Sequence, residues 1–444
     1  MELEQELKAV LDSKLESIRA AAESAEVSFE SIWTYFQQSE QLLINLMNSQ
    51  QSPPTAPGSI EYSWILYWLN NHAPTAWKEI LVDLLKMPPS KISPDDWDKW
   101  IVILSGPGVL SGDGSLISTA KFAILDIGWV VALFTYYQLE LGIIKRHSFN
   151  TNPARKVITG QDTLKVAMFG DWGTGNYKDG NLPYSPSQLV MNQIKAMNPD
   201  INIHLGDVYY AGTSSEEQTR LLNSWYKAPL ANFTMNSNHE MYDGANGLIA
   251  TALADPIFNE QNQTNYFSIE FGNWLIVGLD SAYYTDSKLF MEGALGQTQV
   301  NYLKSLDLQG KKLMILTHHN PIPETGISAE QPVLSLWNEV LDEAGITPDY
   351  WYWGHIHNGI VYADIPEMRS VKGRCLGNGA IPQGNASWFE KNPLIDFYCN
   401  TPLRNPTPDQ KNRVTNGFAM LEFSANGDLS EKWYDQDGTL IWSS

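Results

Sequence analysis

Apolar positions change their rhythm once along this chain, near residue 160. Before it, Leu3, Leu7, Val10, Leu11, Leu15 and Ile18 recur at helical spacing. A break at QSPPTAPGS (51–59) is followed by the Trp-rich segments SWILYWLNN and TAWKEILVDLLK. Ser93-Pro94-Asp95-Asp96 has the cap, early proline and early acids of a helix start. Residues 122–139, FAILDIGWVVALFTYYQL, form the most apolar window. With Asp126 and Gly128 inside it and barely enough length to span a bilayer, a buried helix is expected rather than a membrane segment. A polar connector is expected over 147–162. Residues 1–150 therefore read as an all-α region, without repeats and without a chemical motif.

After that point short β-rich runs alternate with helical ones. TLKVAMF ends at Gly170-Asp171, and INIHL ends at Gly206-Asp207. Between them Ser185-Pro186 opens a helix carrying Val190, Ile194 and Met197, so the whole is a βαβ unit. FTMN ends at Ser237-Asn238-His239; NYFSIEF and WLIVGLD flank Gly272-Asn273 as a hairpin. KKLMILT leads to His318-His319, a helix near 333–344 follows, and YWYW leads to Gly354-His355. GFAMLEF, LSEKWYD and TLIWS read as a closing antiparallel meander. The expected fold is α/β over 160–444, with an Asp or His at the end of each central strand, where ligands of such sheets bind.

Composition narrows the functions. Twenty-nine basic against 50 acidic residues give a formal charge of −21. Such a surface repels polyanions, so nucleic acid and acidic membranes are not expected partners. A small phosphorylated substrate remains compatible, because bound cations reverse the local field. Two cysteines, Cys375 and Cys399, provide no disulfide framework and read as ordinary thiols. The N-terminal stretch lacks a basic region followed by an apolar one, so a cytoplasmic location is expected.

The strand-end residues are Asp171, Asp207 with Tyr210, Asn238 with His239, His318-His319, and His355 with His357. Five of the chain's eight histidines sit there. Oxygen and imidazole donors in this combination suit zinc, iron and manganese. Each pair alone has an ordinary structural reading as a turn or cap; the ordered series points to a metal site.

The series GDWG (170–173), GDVYY (206–210), SNHE (237–240), LTHH (316–319) and GHIH (354–357) resembles the calcineurin-like metallophosphoesterase signature. Gly173 stands where the broad superfamily has a ligand His, and Tyr210 lies three residues after the second Asp. Both features resemble the purple acid phosphatase branch. The resemblance implies a four-layer αββα sandwich and a dinuclear centre, Fe(III) with Zn(II), Mn(II) or Fe(II). It implies Asp171, Tyr210 and His357 on one metal, Asn238, His318 and His355 on the other, and Asp207 bridging. A ferric–phenolate pair would colour the protein. His318 directly follows its strand and is taken as the ligand, with His319 facing the pocket; the reverse assignment stays open.

The implied activity is hydrolysis of phosphate mono- or diesters by a metal-activated hydroxide, with His239 as general acid. Glu240 would orient His239, or else be a solvated acid beside a turn. Ser237 replaces the family's usual Gly, so a less relaxed turn is expected there. Trp172, Tyr209, Tyr242, Trp353 and Asn358 either line the pocket or pack the sheet, and RCLGNGAIP (374–382) is a loop. A nucleotide or pyrophosphate hydrolase on the same site, or a silent metal-binding scaffold, are the alternatives. The helical N-terminal region is the expected surface for any protein partner.

Overall fold

The computed structural model describes residues 132, 135, 136, 139, 144–177, 181–406 and 413–444. The expectations for residues 1–131 lie outside them. Within the apolar 122–139 window, the described Ala132, Thr135, Tyr136 and Leu139 are helical and buried. Among the described residues no helix is long and apolar enough to cross a membrane.

Two sheets face each other. The first begins with β2 (Thr163–Phe169), β3 (Ile201–His204) and β4 (Ala231–Thr234), mutually parallel. The meander β12 (Gly417–Ser424), β13 (Leu429–Asp435) and β14 (Leu440–Ser443) adds to the β2 edge, giving the order β14-β13-β12-β2-β3-β4. The second sheet is built around β6 (Trp274–Gly278), β7 (Lys312–Thr317), β8 (Tyr350–Trp353) and β10 (Lys372–Leu376), all parallel. β5 (Phe267–Phe271) and β1 (Ala154–Ile158) extend one side, and β9 (Gly359–Tyr362) and β11 (Ile395–Tyr398) the other.

Period-two alternation explains the layering. On β2, Leu164, Val166 and Met168 point to a core shared with Phe267, Ile269, Ile276, Met314 and Leu316 of the other sheet. Ala167 and Phe169 point outward, against Val190, Met191 and Ile194 of α1 (Pro186–Met197). Leu275, Val277, Leu313 and Ile315 point outward from the second sheet, against Val300 and Leu303 of α2 (Gly296–Lys304). The result is helix, sheet, sheet, helix. Helix α1 starts where Ser185 and Gln188 form a reciprocal capping box, with Pro186 in the first turn.

Three sequence readings are corrected. The connector 147–162 contains strand β1, which pairs in parallel with β5. Its charges hid it: Arg155 reaches Glu270 of β5 at 2.6 Å from an exposed edge. Arg374, Cys375 and Leu376 belong to β10, so only the rest of RCLGNGAIP is loop. Strand β4 stops at Thr234, earlier than FTMN implied, because Gln261 takes both the N–H and the carbonyl of Thr234. Cys375 and Cys399 are buried free thiols, as expected.

A buried ion pair joins the sheets. Arg374 of β10 binds Glu431 of β13 through two nitrogens, at 2.9 and 3.1 Å, and the Tyr352 hydroxyl of β8 donates to the same carboxylate.

Candidate metal centre

The carboxyl ends of β2, β3, β7 and β8 bring the motif residues together, joined by the turn that follows β4. Asp171, Asp207 and His355 each follow a glycine and adopt positive φ, at 56°, 76° and 66°. The glycines leave room for the donors. A Cβ on Gly206 would lie 2.9 Å from His318 Nδ1, and one on Gly354 would lie 2.7 Å from Asp171 Oδ2.

Asp207 faces two ways. Its Oδ1 lies 3.3 Å from His318 Nε2, which is itself 2.9 Å from Asn238 Oδ1. Its Oδ2 lies 2.9 Å from the Tyr209 hydroxyl. That hydroxyl is also 3.1 Å from Asp171 Oδ1 and 3.0 Å from His357 Nε2. The His355 ring stacks edgewise on His318 at 5.1 Å, and its backbone N–H donates to Asp171 Oδ2 at 2.9 Å. Asp171, Asp207, Asn238, His318, His355 and His357 are thus gathered at one place.

The tautomers follow from the backbone. His318 donates from Nδ1 to the Leu205 carbonyl at 2.8 Å, which turns Nε2 toward Asp207 and Asn238. His239 likewise donates from Nδ1 to the Tyr210 carbonyl, leaving Nε2 3.8 Å from Asp207 Oδ2. His319 differs. Its Nε2 donates to the Phe290 carbonyl at 2.7 Å and its Nδ1 meets Ser281 Oγ at 2.9 Å, so both nitrogens have protein partners. It is 1% exposed, as buried as Asp207 and His318, and its ring lies 4.8 Å from that of His355. Burial, then His318, lowers its pKa to about 3.

Burial and the neighbouring Asp207 carboxylate push Asp171 well above the usual carboxylate range. Burial also opposes ionisation of Asp207, yet His239 and His318 hold it well below that range. Two adjacent buried carboxylates ringed by imidazoles make a site that favours a cation.

Tyr210 is not where the three-residue spacing put it. Among the described residues, no hydrogen bond links its hydroxyl to the aspartates. Its ring lies under the Arg220 guanidinium at 5.0 Å, and its N–H donates to Glu216 at 2.6 Å. Glu216 also accepts from the N–H groups of Ala211 and Thr213, which fixes the turn in that attitude.

Other expectations change as well. Ser237 is not strained; its φ of −139° suits any residue, and its hydroxyl bridges Asp207 and Glu240. Glu240 neither orients His239 nor faces solvent. It is fully buried, accepts from the Val208 N–H at 3.0 Å, and is raised to about 8 by burial and Asp207. Trp172 and Trp353 are core, and Asn358 accepts from the Cys399 N–H. Tyr242 does border the site, 5.0 Å from the His239 ring.

Sequence reasoning missed the work of the loop after β10. The N–H groups of Ala380 and Ile381 donate to the Asp171 carbonyl, and that of Gly379 donates to Gly170. A Cβ on Gly379 would lie 2.3 Å from the Gly170 oxygen, so the glycine there is a requirement of close approach that the sequence does display.

The calcineurin-like phosphoesterase family model matches residues 164–359, the span that holds every one of these donors. Residues 164–359 are a calcineurin-like phosphoesterase domain. No curated protein matches the chain. Among solved structures, a purple acid phosphatase from yellow lupin (Lupinus luteus) seeds is 18% identical, with a TM-score of 0.40 over 64% of this chain. The chain spans 53% of that lupin protein. GAP50, the anchor in the inner membrane complex of Plasmodium, is 17% identical, with a TM-score of 0.42 over 64% of this chain and 88% of its own. PhoD is 12% identical, with a TM-score of 0.41 over 66% of this chain and 73% of its own.

Calcineurin-like phosphoesterases are metal-dependent hydrolases, and the donor set here fits that requirement. Asp171, Asp207 and His318 present ligand atoms within 4.8 Å of one another, all three residues being buried. His318, His319 and His355 form a second such group.

Proposed function

We propose that the protein hydrolyses small phosphate esters at a dinuclear metal centre. The observation that carries this reading is Asp207, whose two oxygens face different donor sets. His318, itself bonded to Asn238, lies 3.3 Å from Oδ1; Oδ2 meets the Tyr209 hydroxyl, which also contacts Asp171 and His357. A carboxylate so placed suits a bridge between two cations. The tautomer of His318 supports it, rather than His319, as the ligand.

Bound metals would supply an activated water and offset charge on the phosphoryl oxygens. The chain's own contribution is orientation and a proton. His239 is held by the Tyr210 carbonyl with Nε2 toward Asp207. From there a protonated Nε2 can donate to the oxygen of the leaving group. Ser237 and Glu240 hold the Asp207 turn, and His319 holds the Ser281 and Phe290 segment; all three act through the residues they position.

The net charge of −21 favours a small ester over a nucleic acid. Iron paired with zinc, manganese or a second iron fits the mixed oxygen and imidazole donors.

The test is metal content together with hydrolysis of 4-nitrophenyl phosphate, bis(4-nitrophenyl) phosphate and a nucleoside triphosphate. Two metals per chain and ester hydrolysis, both lost in Asp207→Asn, are the expected result. A metal-loaded protein inactive on all three would overturn the reading. A nucleoside triphosphate cleaved far faster than either ester would shift it to a nucleotide hydrolase on the same centre.

A further inference from the structure

We infer that Tyr136, which precedes the matched domain, is a positioning residue for the acid end of the site. It seats Tyr242, and through Tyr242 the imidazole of His239 and the amide of Asn238. This inference rests on the role proposed above for His239, and it extends the catalytic unit upstream of residue 164.

Three observations carry it. First, Ala132, Thr135, Tyr136 and Leu139 are helical and buried, at the i, i+3, i+4, i+7 spacing of a single helix face. Ala132, Tyr136 and Leu139 belong to the apolar cluster that also holds Tyr242, Ala245 and Phe290. This face therefore packs on the hydrolase itself.

Second, Tyr136 meets two rings that each lead to the centre. It lies edge-on to Tyr242 at 5.9 Å and to Phe290 at 5.7 Å, a geometry that fixes ring orientation as well as distance. The Tyr242 ring is in turn edge-on to His239 at 5.0 Å, and its hydroxyl accepts from Asn238 Nδ2 at 3.4 Å. An amide whose nitrogen faces Tyr242 has its oxygen turned the other way, and Asn238 Oδ1 lies 2.9 Å from His318 Nε2. Beyond the second ring, the Phe290 carbonyl accepts from His319, and the Met291 sulfur lies 3.8 Å from Asn238 Nδ2.

Third, the chain that follows Tyr136 is fastened to the same two loops. The His147 N–H donates to the Gly244 carbonyl at 2.8 Å, and Asn246 Nδ2 donates to the Lys145 carbonyl at 2.8 Å. Arg146 donates to the Tyr283 carbonyl at 2.7 Å, and its guanidinium lies 5.4 Å from the Tyr283 ring and 5.3 Å from the Phe290 ring. A Cβ on Gly244 would lie 2.9 Å from both Arg146 Cα and Leu139 Cδ1, so the turn after His239 fits this segment with no space to spare. One stretch of chain outside the family match thus clamps the His239 turn to the Phe290 loop.

The experiment uses the full-length protein and its Tyr136→Ala and Tyr136→Phe variants. The kcat and KM are measured on an alkyl phosphate and on 4-nitrophenyl phosphate. In the metal-free protein, the NMR signal of the His239 ring protons is followed, assigned by its loss in His239→Gln. In Tyr136→Ala, kcat on the alkyl phosphate is expected to fall about tenfold and much less on the aryl ester, with KM unchanged. The His239 signal is expected to move in that variant, while Tyr136→Phe, which keeps the ring, behaves as the parent. Tyr136→Leu keeps bulk without a ring and gives the same two readouts if the alanine variant does not fold. Equal losses on both substrates overturn the inference, as does an unmoved His239 signal. A metal-loaded parent inactive on both esters overturns the proposed function instead, and the His239 signal still tests the Tyr136 contact.

Discussion

The Nδ1 of His239 lies 2.6 Å from the carbonyl oxygen of Tyr210, and this contact fixes which nitrogen looks into the centre. Donation from Nδ1 leaves Nε2 to carry the proton that a leaving group needs. His239→Ala is therefore expected to lower kcat by about 10²–10⁴-fold on an alkyl phosphate. On 4-nitrophenyl phosphate, whose leaving group needs little protonation, the loss should be much smaller. Equal losses on the two substrates would remove His239 from the acid role.

Gly173 has no space beside it. Gly173→Ala forces a methyl group against Val208 and the Asp207 carbonyl. Overpacking of this kind costs about 1–3 kcal/mol. Because the displaced backbone belongs to Asp207, metal affinity should fall along with the denaturation midpoint. A variant that keeps both would show that the turn yields more easily than its contacts imply.

The Arg374–Glu431 pair is buried between the sheets, and Tyr352 shares the carboxylate. Glu431→Leu strands a guanidinium in the core and should cost about 3–5 kcal/mol. Adding Arg374→Met should recover most of that loss, because the isolated charge then disappears. Urea denaturation of the two variants separates an ionic cost from a packing one.

Asp243 provides a pH dependence remote from the ligands' own titration. Burial raises its carboxyl to about 7, although the Gly247 N–H, 3.0 Å from Oδ2, opposes the shift. Its unfolded value is the ordinary one, about 3.9. Between these values the folded state keeps a proton that the unfolded state has released. The contribution is full in acid and is lost as pH rises toward 7. Asp243→Asn should flatten this slope by a few kcal/mol at most. Melting curves of parent and variant from pH 4 to 8 provide the comparison, and parallel curves would exclude the effect.

What the sequence made legible was decided by local apolar pattern. β2, β7 and β8 are mostly apolar runs, charged only at Lys165 and Lys312, that end at a Gly-Asp, a Thr-His or a Gly-His, so strand and donor could be read together. β1 and β10 escaped because Arg155, Lys156 and Arg374 break the pattern. Each of the two arginines meets its carboxylate from another strand, Glu270 or Glu431, across a distance in sequence that no window spans. In the Tyr-Tyr doublet, spacing from Asp207 singled out Tyr210, while the groups that Tyr210 touches, Glu216 and Arg220, lie on the following helical segment. Ser237 was misread because its side chain, which the sequence shows only as a replacement for glycine, serves as a hydrogen-bond bridge.

The loop after β10 closes the Asp171 turn from outside, with Ala380 and Ile381 holding the carbonyl of Asp171 itself. A chain growing from its N-terminus exposes Asp171 and Asp207 long before those N–H groups exist. During synthesis, the first carboxylates must therefore wait on a ribosome-bound chain with their turn half built. Any fragment ending before residue 380 should carry most of the donors, yet hold a cation only weakly. The centre is thus completed late, although β12, β13 and β14 of its own sheet are still to be added.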